Sequence, residues 1–259
     1  MKKARGVRQQ ARPMRPAQDV IDALSSPGLG FDRVELHQGA SYKDSSMVVL
    51  VPTRGMVHYR VISAWQGLIA PMNQKRAFLF VSGDEVGKAY NHLLEKVLAH
   101  PELGKWKYVL TLEDDNIPPP DAHIRLLETL DAHPQLDAVS GIYFTKGDLN
   151  MPMAYGNPER YRKTGVLDFA PLDIREALRA GQVMEVNGIA MGCALWRMDL
   201  FRQIAAPWFV TVADVVNGAP QGFTQDLYFC KRAKEAGKNF GVDMRVKVGH
   251  LDINTGIVY

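Results

Sequence analysis

An α/β fold of parallel strand–helix units is predicted by three observations on this 259-residue chain. Short apolar runs at Met47–Val51, Arg76–Val81, Tyr108–Leu112 and Asp137–Tyr143 stop at glycine, proline or acids, as buried parallel strands do. Between them lie segments with apolar residues at helical spacing. From residue 47 to residue 143 strand and helix alternate three times, the βαβ pattern. A hydrophobic content of 46% supplies a sizeable core, and the length suits one large α/β domain or two small ones. With no internal repeat or linker in view, the sequence predicts one catalytic domain over 47–259. Residues 1–46 form a basic arm and a short polar lead-in.

The chain opens with Lys2, Lys3, Arg5, Arg8, Arg12 and Arg15 and has no acid before Asp19, while Pro13 and Pro16 break any helix. Such an arm either touches a polyanion or is a solvated tail. Asp19–Leu24 suits a short helix that ends at Pro27-Gly28. Met47–Val51 is the first strong strand, closed by Pro52-Thr53-Arg54-Gly55. His58–Leu68 is a helix with Val61, Ile62, Trp65 and Leu68 inward. Arg76–Val81 is the second strand, Ser82-Gly83-Asp84 the turn, and Val86–Leu98 the second helix. Tyr108–Leu112 is the third strand. Three prolines, Pro118–Pro120, prevent its continuation, and Asp121–Ala132 follows as a helix. Asp137–Tyr143 is the fourth strand.

Residues 145–185 hold Pro152, Pro158, Pro171 and scattered glycines, with one amphipathic segment at Ile174–Ala180. The stretch reads as a loop-rich insertion without an apolar anchor, a mobile flap. Val183–Asn187 and Ala190–Trp196 are strands, Asp199–Ile204 is a short helix, and Leu227–Ala236 is a helix stopped by Gly237. Asn239–Val248 is the last strand. Cys193 and Cys230 sit in apolar surroundings as buried thiols and fit a reducing compartment. No apolar run is long enough to span a membrane, and the basic N-terminus lacks the apolar stretch of a signal peptide. The expected location is the cytoplasm. A net charge of +3 does not by itself mark a nucleic-acid binder.

Chemistry concentrates in Glu113, Asp114 and Asp115, hard oxygen ligands at the carboxyl end of a central strand, where open α/β sheets bind ligands. In an extended segment Glu113 and Asp115 project to one side, a pattern suited to a divalent ion that also holds phosphates. The plain alternative is a solvated acidic turn. Gly83–Ala89 imitates a phosphate-binding loop but has the wrong spacing and lacks Ser or Thr after Lys88. Gly28-Leu29-Gly30 lacks the third glycine of a dinucleotide site. No Gly-x-Ser-x-Gly elbow occurs.

Across residues 47–252 the order Pro52-Thr53-Arg54, Ala89-Tyr90-Asn91, Glu113-Asp114-Asp115 with its prolines, Asn187–Cys193 and Gln225-Asp226 resembles the family 2 glycosyltransferases and their GT-A relatives. The resemblance implies a Rossmann-like, mixed but mostly parallel sheet flanked by helices. It implies a nucleotide-sugar donor, UDP- or GDP-linked, contacted by Pro52, Thr53, Arg54, Asn91, Glu113 and Asp114. It further implies an Mn²⁺ or Mg²⁺ ion on Asp115. His250, after the last strand, is either a second ligand or a loop histidine bonded to backbone. Asp226 is either the base that deprotonates an acceptor hydroxyl or a helix cap. Gly188, Gly192 and Gln225 fall on the acceptor side. Glu113 and Gln225 stand where the family carries Asp and an acid. The acceptor is left open among saccharide, lipid, protein and modified nucleic acid. Two other readings are a nucleotidyltransferase that makes a nucleotide sugar and a catalytically weak nucleotide-sugar-binding protein.

Overall fold

The computed structural model describes residues 43–259 apart from Asn73, Asn217 and Gly218. The basic arm, the Asp19–Leu24 helix, Gly28-Leu29-Gly30 and nearly all of the lead-in lie outside the described residues. Residues 44–259 form one compact unit.

Strand β1 (Met47–Thr53) leads to helix α1 (Tyr59–Gln66), whose first turn is capped by the His58 ring accepting from the Arg60 amide at 3.2 Å. Strand β2 (Arg76–Ser82) and helix α2 (Val86–Ala99) follow, with the Glu85 carboxylate capping the Lys88 amide. Next come β3 (Tyr108–Leu112), the two-residue β4 (Asn116–Ile117), α3 (Ala122–Ala132) and β5 (Ala138–Ile142). The insertion holds β6 (Ala154–Tyr155), α4 (Pro158–Thr164) and α5 (Arg175–Ala180), then β7 (Val183–Val186). The chain ends with β8 (Gly188–Ile189), β9 (Cys193–Arg197), α6 (Met198–Gln203) and the hairpin of β10 (Val212–Val216) and β11 (Ala219–Phe223). After these come α7 (Gln225–Glu235), β12 (Phe240–Lys247) and β13 (Gly249–His250).

The main sheet runs β2-β1-β3-β9-β5-β12-β7. Five strands point one way, and β9 and β7 run against them. The sheet is therefore mixed and mostly parallel, as expected. Alternate residues feed opposite faces. Val48 and Leu50 enter one core with α2, α6 and α7, while Met47, Val49 and Val51 enter the other with α1 and α3. The first core is aromatic: Trp196 lies 5.7–6.4 Å from the rings of Phe201, Phe209, Phe229 and Phe240. Cys193 and Cys230 are free and buried. Among the described residues no helix is long and apolar enough to cross a membrane.

Two expectations change. The 145–185 stretch has anchors after all: Ala154 and Ile174 are buried, and β7 pairs with β12. Single apolar residues at short elements hold it, a pattern that does not register as an apolar run. The tip at 147–151 is exposed, with Leu149 82% exposed. The acids are not extended either. The Asn116 amide donates to the Glu113 carbonyl at 3.1 Å and closes a turn directly after β3.

Candidate functional site

Because β1, β2 and β3 are parallel neighbours, their carboxyl ends open on one edge of the sheet. There a cleft of about 530 Å³ is lined by Pro52, Thr53, Arg54, Gly83, Asp84, Val86, Glu113, Asp114 and Asp115. Pro52 and Thr53 complete β1, and the turn at 113–116 sends the three acids in three directions.

Asp114 turns back to β1. It accepts from Thr53 Oγ1 at 3.1 Å, from the Arg54 amide at 3.0 Å and from Arg54 Nη2 at 2.8 Å. A carboxylate with both oxygens engaged fixes the β1 loop to the β3 turn.

Asp115 faces the chain end. Asn116 of β4 pairs with His250 of β13, and the Leu251 amide donates to the Asp115 carbonyl at 2.7 Å. This brings His250 Nε2 to 3.7 Å from Asp115 Oδ1. His250 Nδ1 lies 2.7 Å from the Phe144 carbonyl and can only donate to it, so in the neutral ring Nε2 would be the nitrogen with the lone pair. On the other carboxylate oxygen sits the Lys146 ammonium, 2.5 Å away. Burial alone would raise the Asp115 pKa; the His250 and Lys146 contacts outweigh it and bring it to about 2.

Glu113 lines the cleft floor. Burial, then the negative charges of Asp115, Asp226 and Asp114, push its pKa up to about 8, so at neutral pH this acid keeps its proton. Asp226 lies in the first turn of α7, 6% exposed, and accepts from the Leu227 amide at 2.9 Å. Burial raises its pKa against the pull of the Thr224 and Leu227 contacts.

The remaining expected residues have packing environments of their own. Asn91 is not among the cleft-lining residues. Its Nδ2 donates to the Phe209 carbonyl at 2.6 Å, and its Oδ1 accepts from the amides of Trp208 and Phe209, so it clamps α2 to that segment. A Cβ on Gly192 would come 2.3 Å from Asn116 Oδ1, so the backbone there passes hard against the acid turn. Its carbonyl accepts from the Glu113 amide at 3.3 Å, and its amide donates to the Tyr143 hydroxyl at 2.8 Å. A Cβ on Gly188 would meet Phe169 and Leu227, beside Asp226 in the chain. Gln225 packs against Gly87 at the start of α2.

Sequence reasoning missed Lys146, Gly83 and Asp84. The last two directly follow β2, which lies beside β1, and that adjacency was the available signal. Lys146 had none, because its contact with Asp115 crosses 31 residues.

Among the described residues no three His, Cys, Asp or Glu side chains converge as a metal-ligand group. Asp115 and His250 nevertheless fit a divalent ion. At 3.7 Å Nε2 and the carboxylate oxygen face each other beyond hydrogen-bond distance, and with the ring neutral both would present lone pairs to the space between. Two protein ligands leave the other positions to phosphate and water, the usual pattern when such an ion holds a nucleotide.

No family model and no curated protein matches this chain. Solved structures do. The crystal structure of A197 from STIV superposes with a TM-score of 0.56 at 16% identity, over 80% of this chain and 86% of that one. The crystal structure of GalNAc-T7 with UDP, GalNAc and Mn²⁺ superposes with a TM-score of 0.52 at 7% identity, over 82% of this chain. This chain spans 45% of that protein's length. At such identities the likeness establishes the fold, a GT-A-like α/β architecture.

Proposed function

We propose that this chain is a glycosyltransferase that moves a sugar from a UDP- or GDP-linked donor to an acceptor hydroxyl, with inversion, using Mn²⁺ or Mg²⁺. The observation that carries the proposal is the Asp115–His250 pair, with His250 Nε2 3.7 Å from Asp115 and Asp115 lining the same cleft as Pro52-Thr53-Arg54. An imidazole ligand favours Mn²⁺ over Mg²⁺. The GalNAc-T7 structure, which holds UDP, GalNAc and Mn²⁺ on a similar fold, supports the same reading.

In this mechanism the β1 loop, fastened by Asp114, receives the nucleoside. Asp115 and His250 would hold the ion. The chemistry such an ion would supply there is Lewis-acid stabilisation of a leaving group whose charge grows as the anomeric C–O bond breaks. Asp226 takes the acceptor hydroxyl proton as that oxygen forms the new bond to the anomeric carbon. Burial raises the proton affinity of Asp226, which strengthens it as a base, and such assistance is worth about 10²–10⁴-fold.

The nucleotidyltransferase reading asks for a free basic loop after β1; here the guanidinium of Arg54 is paired with Asp114.

The test is release of nucleoside diphosphate from UDP- and GDP-sugars with Mn²⁺. Asp115→Ala is expected to lower turnover by about 10²–10³-fold while the fold melts normally. Undiminished turnover in that variant, or in excess chelator, overturns the proposal.

A further inference from the structure

Lys146 satisfies Asp115 on the side away from His250. The ammonium is 2.5 Å from Asp115 Oδ2, and its side chain is 30% exposed. It projects from a loop clamped at its base, where Phe144 bridges to Pro152 and the Thr145 amide donates to the Met151 carbonyl at 2.8 Å. The tip turns through Gly147, at φ +91°, and exposes Leu149. The base of this loop also orients the metal-facing imidazole, because the Phe144 carbonyl that holds His250 Nδ1 lies two residues from Lys146. One short segment thus orients the imidazole that faces Asp115 and presents a cation of its own to the same carboxylate.

We propose that Lys146 is a built-in competitor for the divalent ion: it neutralises Asp115 in the metal-free chain and must release the carboxylate for the ion to bind. The inference rests on the cation site proposed above. Asp115 has two oxygens; one holds the ammonium and the other faces Nε2. A doubly charged ion between Asp115 and His250 would stand within a few ångströms of the ammonium, where like charges repel strongly in a partly buried setting. Ion binding and the Lys146–Asp115 contact therefore oppose each other, and the opposition is reciprocal. Because the loop tip is unpacked, the lysine can swing away while the clamp, and with it His250, stays in place. In consequence the free chain binds metal weakly, and a donor diphosphate that also attracts Lys146 tightens it.

Titration of the full chain with Mn²⁺ alone, read by electron paramagnetic resonance of the free ion, tests this without activity. Lys146→Met is expected to bind Mn²⁺ about tenfold more tightly than the wild type, a change of about 1.4 kcal/mol. Lys146→Arg, which keeps the charge, stays within about twofold of the wild type. Equal or weaker binding by Lys146→Met, with its melting temperature intact, overturns the competitor role. Asp115→Asn separates that failure from failure of the metal site: if it binds Mn²⁺ as well as the wild type, the cation site itself is wrong and the inference falls with it.

Discussion

Each carboxylate of the 113–115 turn is defined by what touches its oxygens. Asp114 meets donors from Thr53 and Arg54, Asp115 meets a lysine and faces an imidazole, and Glu113 is buried among other negative charges. Asp114 therefore acts through the loop it holds. Asp114→Ala is expected to cost about 1–2 kcal/mol, chiefly from the unpaired Arg54 amide. The ion pair adds little, because Arg54 is largely exposed. If the proposed donor site is right, donor KM should rise about tenfold with a smaller change in kcat, since the Pro52–Arg54 segment would bind ground and transition state alike. An unchanged KM would sever that loop from the donor. The sequence marked these acids as special because three together before a proline run are rare. It could not separate their jobs, because turn geometry, not strand alternation, sets where each one points.

At the scale of elements, α3 carries a group that titrates with folding. His123 is 2% exposed, and burial first, then the charge of Arg76, hold its pKa down to about 4. The ordinary value is 6.5. Above pH 6.5 both folded and unfolded states are neutral at this site, and its stabilisation is complete. As pH falls from 6.5 to 4 the unfolded chain takes up a proton that the fold refuses, so stability declines by about 3 kcal/mol. His123→Leu should flatten that part of the curve of melting temperature against pH. Parallel curves for wild type and variant would mean that His123 is not held neutral. The helix itself was legible from its apolar spacing, as were β1, β3 and α2. Helix α4 was missed although Asn157-Pro158 and Gly165 frame it as cap, first turn and left-handed stop. The β10–β11 hairpin was missed although Asn217-Gly218 is the strongest short-range turn signal. Strand β9 was recognised as a strand, but its antiparallel place between β3 and β5 was not, because strand order is fixed by long-range pairing. The same holds for the two-residue pair β4 and β13, which carries His250 to Asp115.

Across the whole molecule, charge is divided unevenly along the chain. The net charge is +3, and the six cations before Asp19 exceed it, so residues 19–259 carry a net charge of −3. The cleft adds to this with its acid cluster, and its one arginine is already paired with Asp114. Any affinity of this protein for a polyanion should therefore reside in residues 1–18, and catalysis on a small donor should be indifferent to them. Removing residues 1–18 is expected to leave donor hydrolysis unchanged and to abolish whatever binding to double-stranded DNA the full chain shows at low salt. Six contacts at most limit the slope of log K against log salt to about −5. If the shortened chain still binds DNA with the same slope, the site is elsewhere on the acidic body. If hydrolysis of a soluble donor falls with the deletion, the arm reaches the cleft and belongs to the chemistry. If both activities behave as expected, a nucleic-acid acceptor would have to be held by the arm alone, and that would show as transfer to DNA that declines with salt while donor hydrolysis stays level.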